Sequence, residues 1–123
     1  MFAIKRDNSI HLTRGDIATI QVSAVIDGAE YTFKNGDVVR LKVFEKKNCE
    51  NIVLTKVVDV SAETLTVDIS LTSEDTKIGG IINKPVEYWY EIELNPDTAP
   101  QTIICYDEKG EKIFTLYPEG DDV

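Results

Sequence analysis

Residues 86–94 read Val-Glu-Tyr-Trp-Tyr-Glu-Ile-Glu-Leu, directly after Pro85, and they alternate more strictly than any other segment of the chain. Apolar or aromatic side chains fill one set of alternate positions, and three glutamates with Trp89 fill the other. Successive side chains of a β-strand point to opposite faces of the sheet, so this period of two predicts a half-buried strand. Val86, Tyr88, Tyr90, Ile92 and Leu94 are expected to face one way, and Glu87, Trp89, Glu91 and Glu93 the other.

The same two-residue rhythm recurs along the chain, in segments 18–26, 39–43, 52–60, 64–71, 101–106 and 112–117. Asp27-Gly28 and Asn35-Gly36-Asp37 are turn signals between such segments. The short link after Asp59 predicts a hairpin of 52–60 with 64–71, and 101–106 is expected to pair with 112–117. Thr72-Ser73-Glu74-Asp75 has the spacing of a helix N-cap, which predicts one short helical turn near 72–78 that ends at Gly79-Gly80.

These segments amount to seven or eight short strands with turn signals every 8–12 residues. Such spacing is typical of antiparallel sandwiches. We therefore expect an all-β fold, an immunoglobulin-like antiparallel β-sandwich. Residues 1–117 are expected to form a single domain, followed by a frayed acidic tail over 118–123.

Composition narrows the possible functions. The chain has 123 residues and a formal net charge of -9, and residues 62–123 alone carry -10. Nucleic acid demands clustered cations, so no nucleic-acid partner is expected. No apolar run approaches the roughly 20 residues that cross a bilayer, and the first residues contain no apolar signal segment. We therefore expect no membrane partner and synthesis in the cytoplasm.

Residues suited to catalysis are scarce. His11 is the single histidine, and Ile10 and Leu12 point away from it, which indicates a solvated strand histidine. Neither a nucleophile elbow nor a glycine-rich phosphate loop is present, so no enzymatic activity is expected. Cys49 and Cys105 are far apart in sequence; both are expected to be reduced thiols, with a disulfide between them as the alternative. No cofactor or metal is expected.

Four aspartates at predicted strand ends raise the question of calcium: Asp16, Asp37, Asp75 and Asp97. Clustered carboxylates in sandwich loops can bind Ca²⁺. An aspartate in a turn can equally bond nearby backbone amides, and this second interpretation is favoured.

The outward side of segment 86–94 is the candidate interaction site, with Glu87, Trp89, Glu91 and Glu93, and with Tyr88 and Tyr90 beside it. Cross-strand partners such as Arg40, Lys42 or Lys56 can explain the glutamates. Trp89 has two interpretations. Its ring is either core or covered by a loop, or it anchors a protein contact, as Trp and Tyr often do.

The order of these motifs resembles the N-terminal domains of phage baseplate upper proteins. The resemblance is carried by Leu-Thr-Arg-Gly-Asp-Ile-Ala-Thr-Ile at 12–20, Asp27-Gly28, Tyr-Thr-Phe-Lys-Asn-Gly-Asp at 31–37, Leu-Thr-Ser-Glu-Asp-Thr at 71–76 and the strand 88–94. It spans roughly residues 10 to 117. It implies a structural protein of a phage or prophage tail or baseplate, assembled in the bacterial cytoplasm and located in the virion.

Two functions from different classes follow. The first is protein–protein contact with other tail or baseplate proteins, with homo-oligomers as a further possibility. The alternative is a carbohydrate-binding sandwich in which Trp89, Tyr88 and Tyr90 form a sugar-stacking platform.

Overall fold

The computed structural model describes residues 2–4, 8–48, 50–104 and 112–119, and within these ranges the protein is all-β, without a helix. The all-β prediction is confirmed. Eleven strands lie in the described ranges, more than the seven or eight expected. They are β1 Phe2–Ile4, β2 Ile10–Thr13, β3 Ala18–Val22, β4 Ala24–Ile26, β5 Ala29–Tyr31, β6 Val38–Lys46, β7 Glu50–Asp59, β8 Val67–Leu71, β9 Val86–Leu94, β10 Gln101–Ile104 and β11 Lys112–Tyr117.

The strands form one large sheet and two small ones. The large sheet has seven strands in the order β1-β2-β11-β9-β6-β7, and β10 also pairs with β9. β3 pairs with β8, and β4 pairs with β5. The prediction of a purely antiparallel arrangement is wrong, because β11 runs parallel to β2. The sheet can be mixed because these two strands come from opposite ends of the chain and need no tight turn between them.

The hydrophobic core takes side chains from both the large sheet and the β3–β8 pair. In β3 and β8 the buried positions alternate with exposed ones, as the two-residue rhythm predicts. In β9 the residues Tyr88, Tyr90, Ile92 and Leu94 are buried and Val86 is half-buried, so the predicted division of this strand into two sides is confirmed. One set of alternate side chains of the large sheet is thus used for the core, and the other set faces away from it.

Two predicted pairings are wrong. Segment 52–60 does not form a hairpin with 64–71, because β7 pairs with β6 and β8 pairs with β3. The chain leaves β7 alongside residues 33–37: the Val60 amide donates to the Asp37 carbonyl over 2.8 Å, and Phe33 forms a bridge with Thr64. With these bonds the chain passes from β7 in the large sheet to β8 in the β3–β8 pair, and no tight hairpin turn forms between them.

The second wrong pairing concerns the C-terminal strands. β10 and β11 do not pair with each other, since both lie antiparallel to β9 and follow one another along it. Gln101 lies opposite Leu94, and Lys112 lies opposite Tyr90. Cys49 and Cys105 lie outside the described residues, as do residues 120–123 of the expected tail.

The turns agree better with the sequence. β4 and β5 form the hairpin predicted at Asp27-Gly28, where both residues have positive φ, 53° and 78°. The helical turn near 72–78 is not seen. The Thr72 hydroxyl does accept from the Asp75 amide over 3.2 Å, and the Asp75 carboxylate accepts from the Thr72 amide over 2.8 Å, but no helix follows them. A hydrogen-bonded turn forms there instead: the Thr76 amide donates to the Thr72 carbonyl, but the Lys77 amide donates to the Glu74 carbonyl, so the successive i→i−4 bonds of an α-helix do not form. The Thr76 hydroxyl bonds the Gly15 amide and the Asp16 carbonyl.

Candidate protein-binding face

The side of the large sheet that points away from the core is the candidate functional site, and we call it the outer face. β6 and β9 cross its centre in antiparallel register. Val39, Leu41 and Val43 lie opposite Leu94, Ile92 and Tyr90, and all six are buried in the core. The intervening pairs therefore share the outer face: Arg40 with Glu93, Lys42 with Glu91, and Phe44 with Trp89.

An apolar row runs across four strands of this face. Ile52 of β7 lies opposite Phe44 of β6, Phe44 lies opposite Trp89 of β9, and Trp89 lies opposite Ile113 of β11. Phe44 is only 3% exposed although it does not belong to the hydrophobic core cluster. Trp89 and Ile113 are half-buried, and Ile52 is 53% exposed. We call these four residues the apolar row.

Two charged pairs lie beside the apolar row. The Arg40 Nη2 atom donates to the Glu93 Oε1 atom over 3.2 Å, and the Arg40 Nη1 atom lies 3.7 Å from the Asp97 carboxylate. Lys42 lies opposite Glu91 in the neighbouring position of the same ladder. The cations are therefore aligned on β6 and the anions on β9. The Arg40 and Glu93 side chains are 20% and 19% exposed, so this pair is mostly shielded from solvent.

Trp89 is neither in the core nor fully exposed. The Lys47 ammonium lies 5.9 Å from the centre of the Trp89 ring, within the range of a cation–π contact. The side chain points to the outer face, so the interpretation as a core residue is wrong. The role of this ring as a contact anchor stays a prediction.

The six predicted site residues divide between the two faces. Glu87, Trp89, Glu91 and Glu93 share the outer face, while Tyr88 and Tyr90 are buried on the opposite side. The Tyr90 hydroxyl donates to the Asn8 carbonyl. Burial raises the pKa of Tyr88, and the Glu45 carboxylate adds to this increase. The three rings thus do not form one platform, which removes the geometric basis of the sugar-binding alternative.

Asp37 and Asp75 each accept a hydrogen bond from a nearby backbone amide, as the interpretation as turn residues predicts. Asp37 accepts hydrogen bonds from the Tyr31 hydroxyl, the Lys34 amide and the Asn95 side-chain amide at 2.7, 3.0 and 3.1 Å. Asp75 bonds the Thr72 amide and pairs with Lys56 at 2.9 Å. The described ranges contain no cluster of three or more side chains suited to a metal ion.

Burial and hydrogen bonding act in opposite directions on the pKa of Asp37. Burial raises this pKa, but the hydrogen bonds from Tyr31, Lys34 and Asn95 together outweigh burial and lower it. The same Tyr31–Asp37 bond is the main reason that the pKa of Tyr31 is raised to about 12. Asn95 also exchanges two bonds with Val38, so this network joins the start of β6 to the end of β9. It holds in register the two strands that carry the centre of the outer face.

His11 lies on the outer face, as its alternation with Ile10 and Leu12 predicts, but it is not simply solvated. Its Nε2 atom is 3.0 Å from the Ser9 hydroxyl, and its Nδ1 atom is 3.0 Å from the Tyr117 hydroxyl. Ser9 is itself buried. This chain of hydrogen bonds links β2 to the neighbouring strand β11.

Sequence reasoning missed most of the apolar row. The alternation of Val39, Leu41 and Val43 with Arg40 and Lys42 extends by one step to Phe44, so the sequence did contain a signal for an aromatic residue on the outer face. Ile52 and Ile113 join the row only through strand pairing, for which the sequence contained no local signal.

Comparisons with known proteins add no further assignment: no protein-family model, no curated protein and no solved structure matches this chain. Among the described residues, none belongs to a helix long and apolar enough to span a membrane.

Proposed function

We propose that this protein is a structural component that acts by binding other proteins through its outer face, with Trp89 at the centre of the contact. Its motif order resembles baseplate upper proteins, so the proposed setting is a phage or prophage tail or baseplate. The proposed partners are other tail or baseplate proteins in the virion. The proposed fold is an immunoglobulin-like sandwich with the large sheet as one layer and the β3–β8 pair as the other.

The apolar row is the single observation that carries this proposal. The core already uses the inward side chains of the large sheet, so the row is not needed to complete it. Phe44 is buried, but Ile52, Trp89 and Ile113 are at least partly exposed. Accessible apolar side chains on a sheet face, rimmed by charges, are typical of a surface that another protein covers. Trp is also among the residues most enriched at the energetic centres of interfaces.

A binding experiment tests the proposal. Proteins encoded by the genes flanking its own would be titrated with wild-type chain, with W89A and with I17A. Ile17 is an exposed apolar residue that does not belong to the apolar row, so I17A is the matched control. We expect W89A to weaken binding at least tenfold, about 1.4 kcal/mol, and I17A to change it less than twofold. Equal binding by wild type and W89A, or no binding to any of these proteins, would contradict the proposal.

A further inference from the structure

We infer that one partner of the outer face is a second copy of this chain, docked face to face about a twofold axis. The inference rests on the proposed function, because it assigns an occupant to the same surface. It is drawn from the alignment of cations on β6 and anions on β9.

The register makes this surface complementary to itself. Consider a twofold axis that lies in the interface, parallel to the strands and midway between β6 and β9. Rotation about this axis places β6 of one copy over β9 of the other and leaves each residue at the same position along the strand direction. Arg40 lies opposite Glu93 in the ladder, and Lys42 opposite Glu91. Each cation of one copy therefore faces a glutamate of the second copy, which is the arrangement a closed isologous dimer requires.

The apolar row obeys the same symmetry. Its order across the sheet is Ile52, Phe44, Trp89 and Ile113. The rotation reverses this order in the second copy, so Phe44 faces Trp89 and Ile52 faces Ile113. Apolar positions thus face apolar positions along the row; Phe44 is only 3% exposed, so the accessible surface of the contact comes from Trp89, Ile52 and Ile113. Two sheets that pack face to face keep their strands within about 30° of one another, and this twist displaces the central pairs least.

The outer face is also large enough for a stable contact. Strands β2, β11, β9, β6 and β7 together project about 600 Å², given about 3.3 Å per residue and about 4.8 Å between strands. Protruding side chains make the accessible area larger than this projection, close to the roughly 800 Å² that each partner buries in a standard interface. The charges of Arg40, Lys42, Glu91 and Glu93 sum to zero, so the net charge of -9 comes from residues outside this central group.

Charge reversal tests the geometry. R40E/K42E would place glutamates opposite the glutamates of the second copy, and E91K/E93K would place cations opposite cations. Each variant alone is expected to dimerise at least about a hundredfold more weakly than wild type, because opposed like charges cost several kcal/mol. Mixing the two variants is expected to restore dimers, since one outer face is then acidic and the other basic.

Two controls separate the contact from general repulsion and from misfolding. K77E/K84E gives the same net charge as R40E/K42E at exposed positions outside the outer face, and it is expected to dimerise like wild type. The fourfold exchange R40E/K42E/E91K/E93R restores the pairs within each chain. This variant is expected to form homodimers but no mixed dimers with wild type. Thermal melting confirms that every variant is folded before it is compared.

Sedimentation velocity over an about hundredfold dilution, at about 0.15 M salt, measures association directly. A wild-type chain that stays monomeric, or an R40E/K42E variant that dimerises as wild type does, overturns this inference. If W89A still abolishes binding to other tail proteins in that case, the proposed function stands without the second copy. If dimers form as described but W89A binds those proteins normally, the second copy stands and the proposed function fails.

Discussion

Replacing Asp37 by alanine tests whether the network between β6 and β9 holds these strands together. Asp37 is 3% exposed and accepts three hydrogen bonds, from Tyr31, Lys34 and Asn95. A hydrogen bond to a charged group contributes about 1.5–3 kcal/mol, and a buried donor left without an acceptor costs about 1–3 kcal/mol. Water can reach half-buried Tyr31 and Asn95 in the variant, so the three losses do not add fully. We expect D37A to lower the free energy of unfolding by about 3 kcal/mol.

Urea denaturation measures this loss. The slope of unfolding free energy against urea is about 1–3 kcal/mol per molar for small proteins, so the midpoint should fall by at least about 1 M with an unchanged slope. The melting temperature should fall by about 12 °C, at about 4 °C per kcal/mol for a domain of this size. D97A is the matched control, because Asp97 is 86% exposed and lies 3.7 Å from Arg40; it should change stability by less than about 0.5 kcal/mol. A loss below about 1 kcal/mol in D37A would refute the reasoning, since solvent would then satisfy the three donors equally well.

Three further predictions follow from individual hydrogen bonds. Ultraviolet titration should show Tyr31 ionising near its raised pKa of about 12 in wild type and nearer 10 in D37A. The Tyr31 contribution to stability is therefore present below pH 10 and lost as the pH rises towards 12. Identical titrations of wild type and D37A would contradict this. T76V should lower the unfolding free energy by about 1–3 kcal/mol in urea melts, because the fully buried Thr76 hydroxyl accepts from the Gly15 amide; a neutral result would mean that this bond contributes nothing. For Asp75, burial raises the pKa but hydrogen bonds lower it overall, so wild type should lose stability as the pH falls from about 4 through this lowered pKa, and D75N should lose less in melts over the same range.

Local patterns predicted the orientation of side chains well. The alternation in β9 identified which residues share each side of the strand, because the period of two is a property of a single strand. It left open which side is buried, which depends on the packing of the two sheets. The Asp27-Gly28 hairpin was also predicted correctly, and it depends on residues close together in sequence.

Strand pairing was predicted poorly, and the reason is physical. Alternation states which side of a strand is buried but not which strand lies beside it. β7 and β8 are adjacent in sequence and belong to different sheets, because the backbone bonds of Val60 and Thr64 direct the chain across the core. The same reason applies to the candidate site. Trp89 was recognised from its own strand, whereas the positions of Ile52 and Ile113 in the apolar row are set by pairing with distant strands.

The parallel pairing of β2 with β11 has a consequence for how the protein is made. One hydrogen bond across it joins His11 to Tyr117, residues 106 apart in sequence. A ribosome that adds about 5–20 residues per second needs roughly 5–20 s to travel between them. During this interval β2 can pair only with the short strand β1, and a two-stranded ribbon is marginal in water. β2 must therefore wait for β11, so the large sheet cannot close until the chain has been synthesised as far as residue 117.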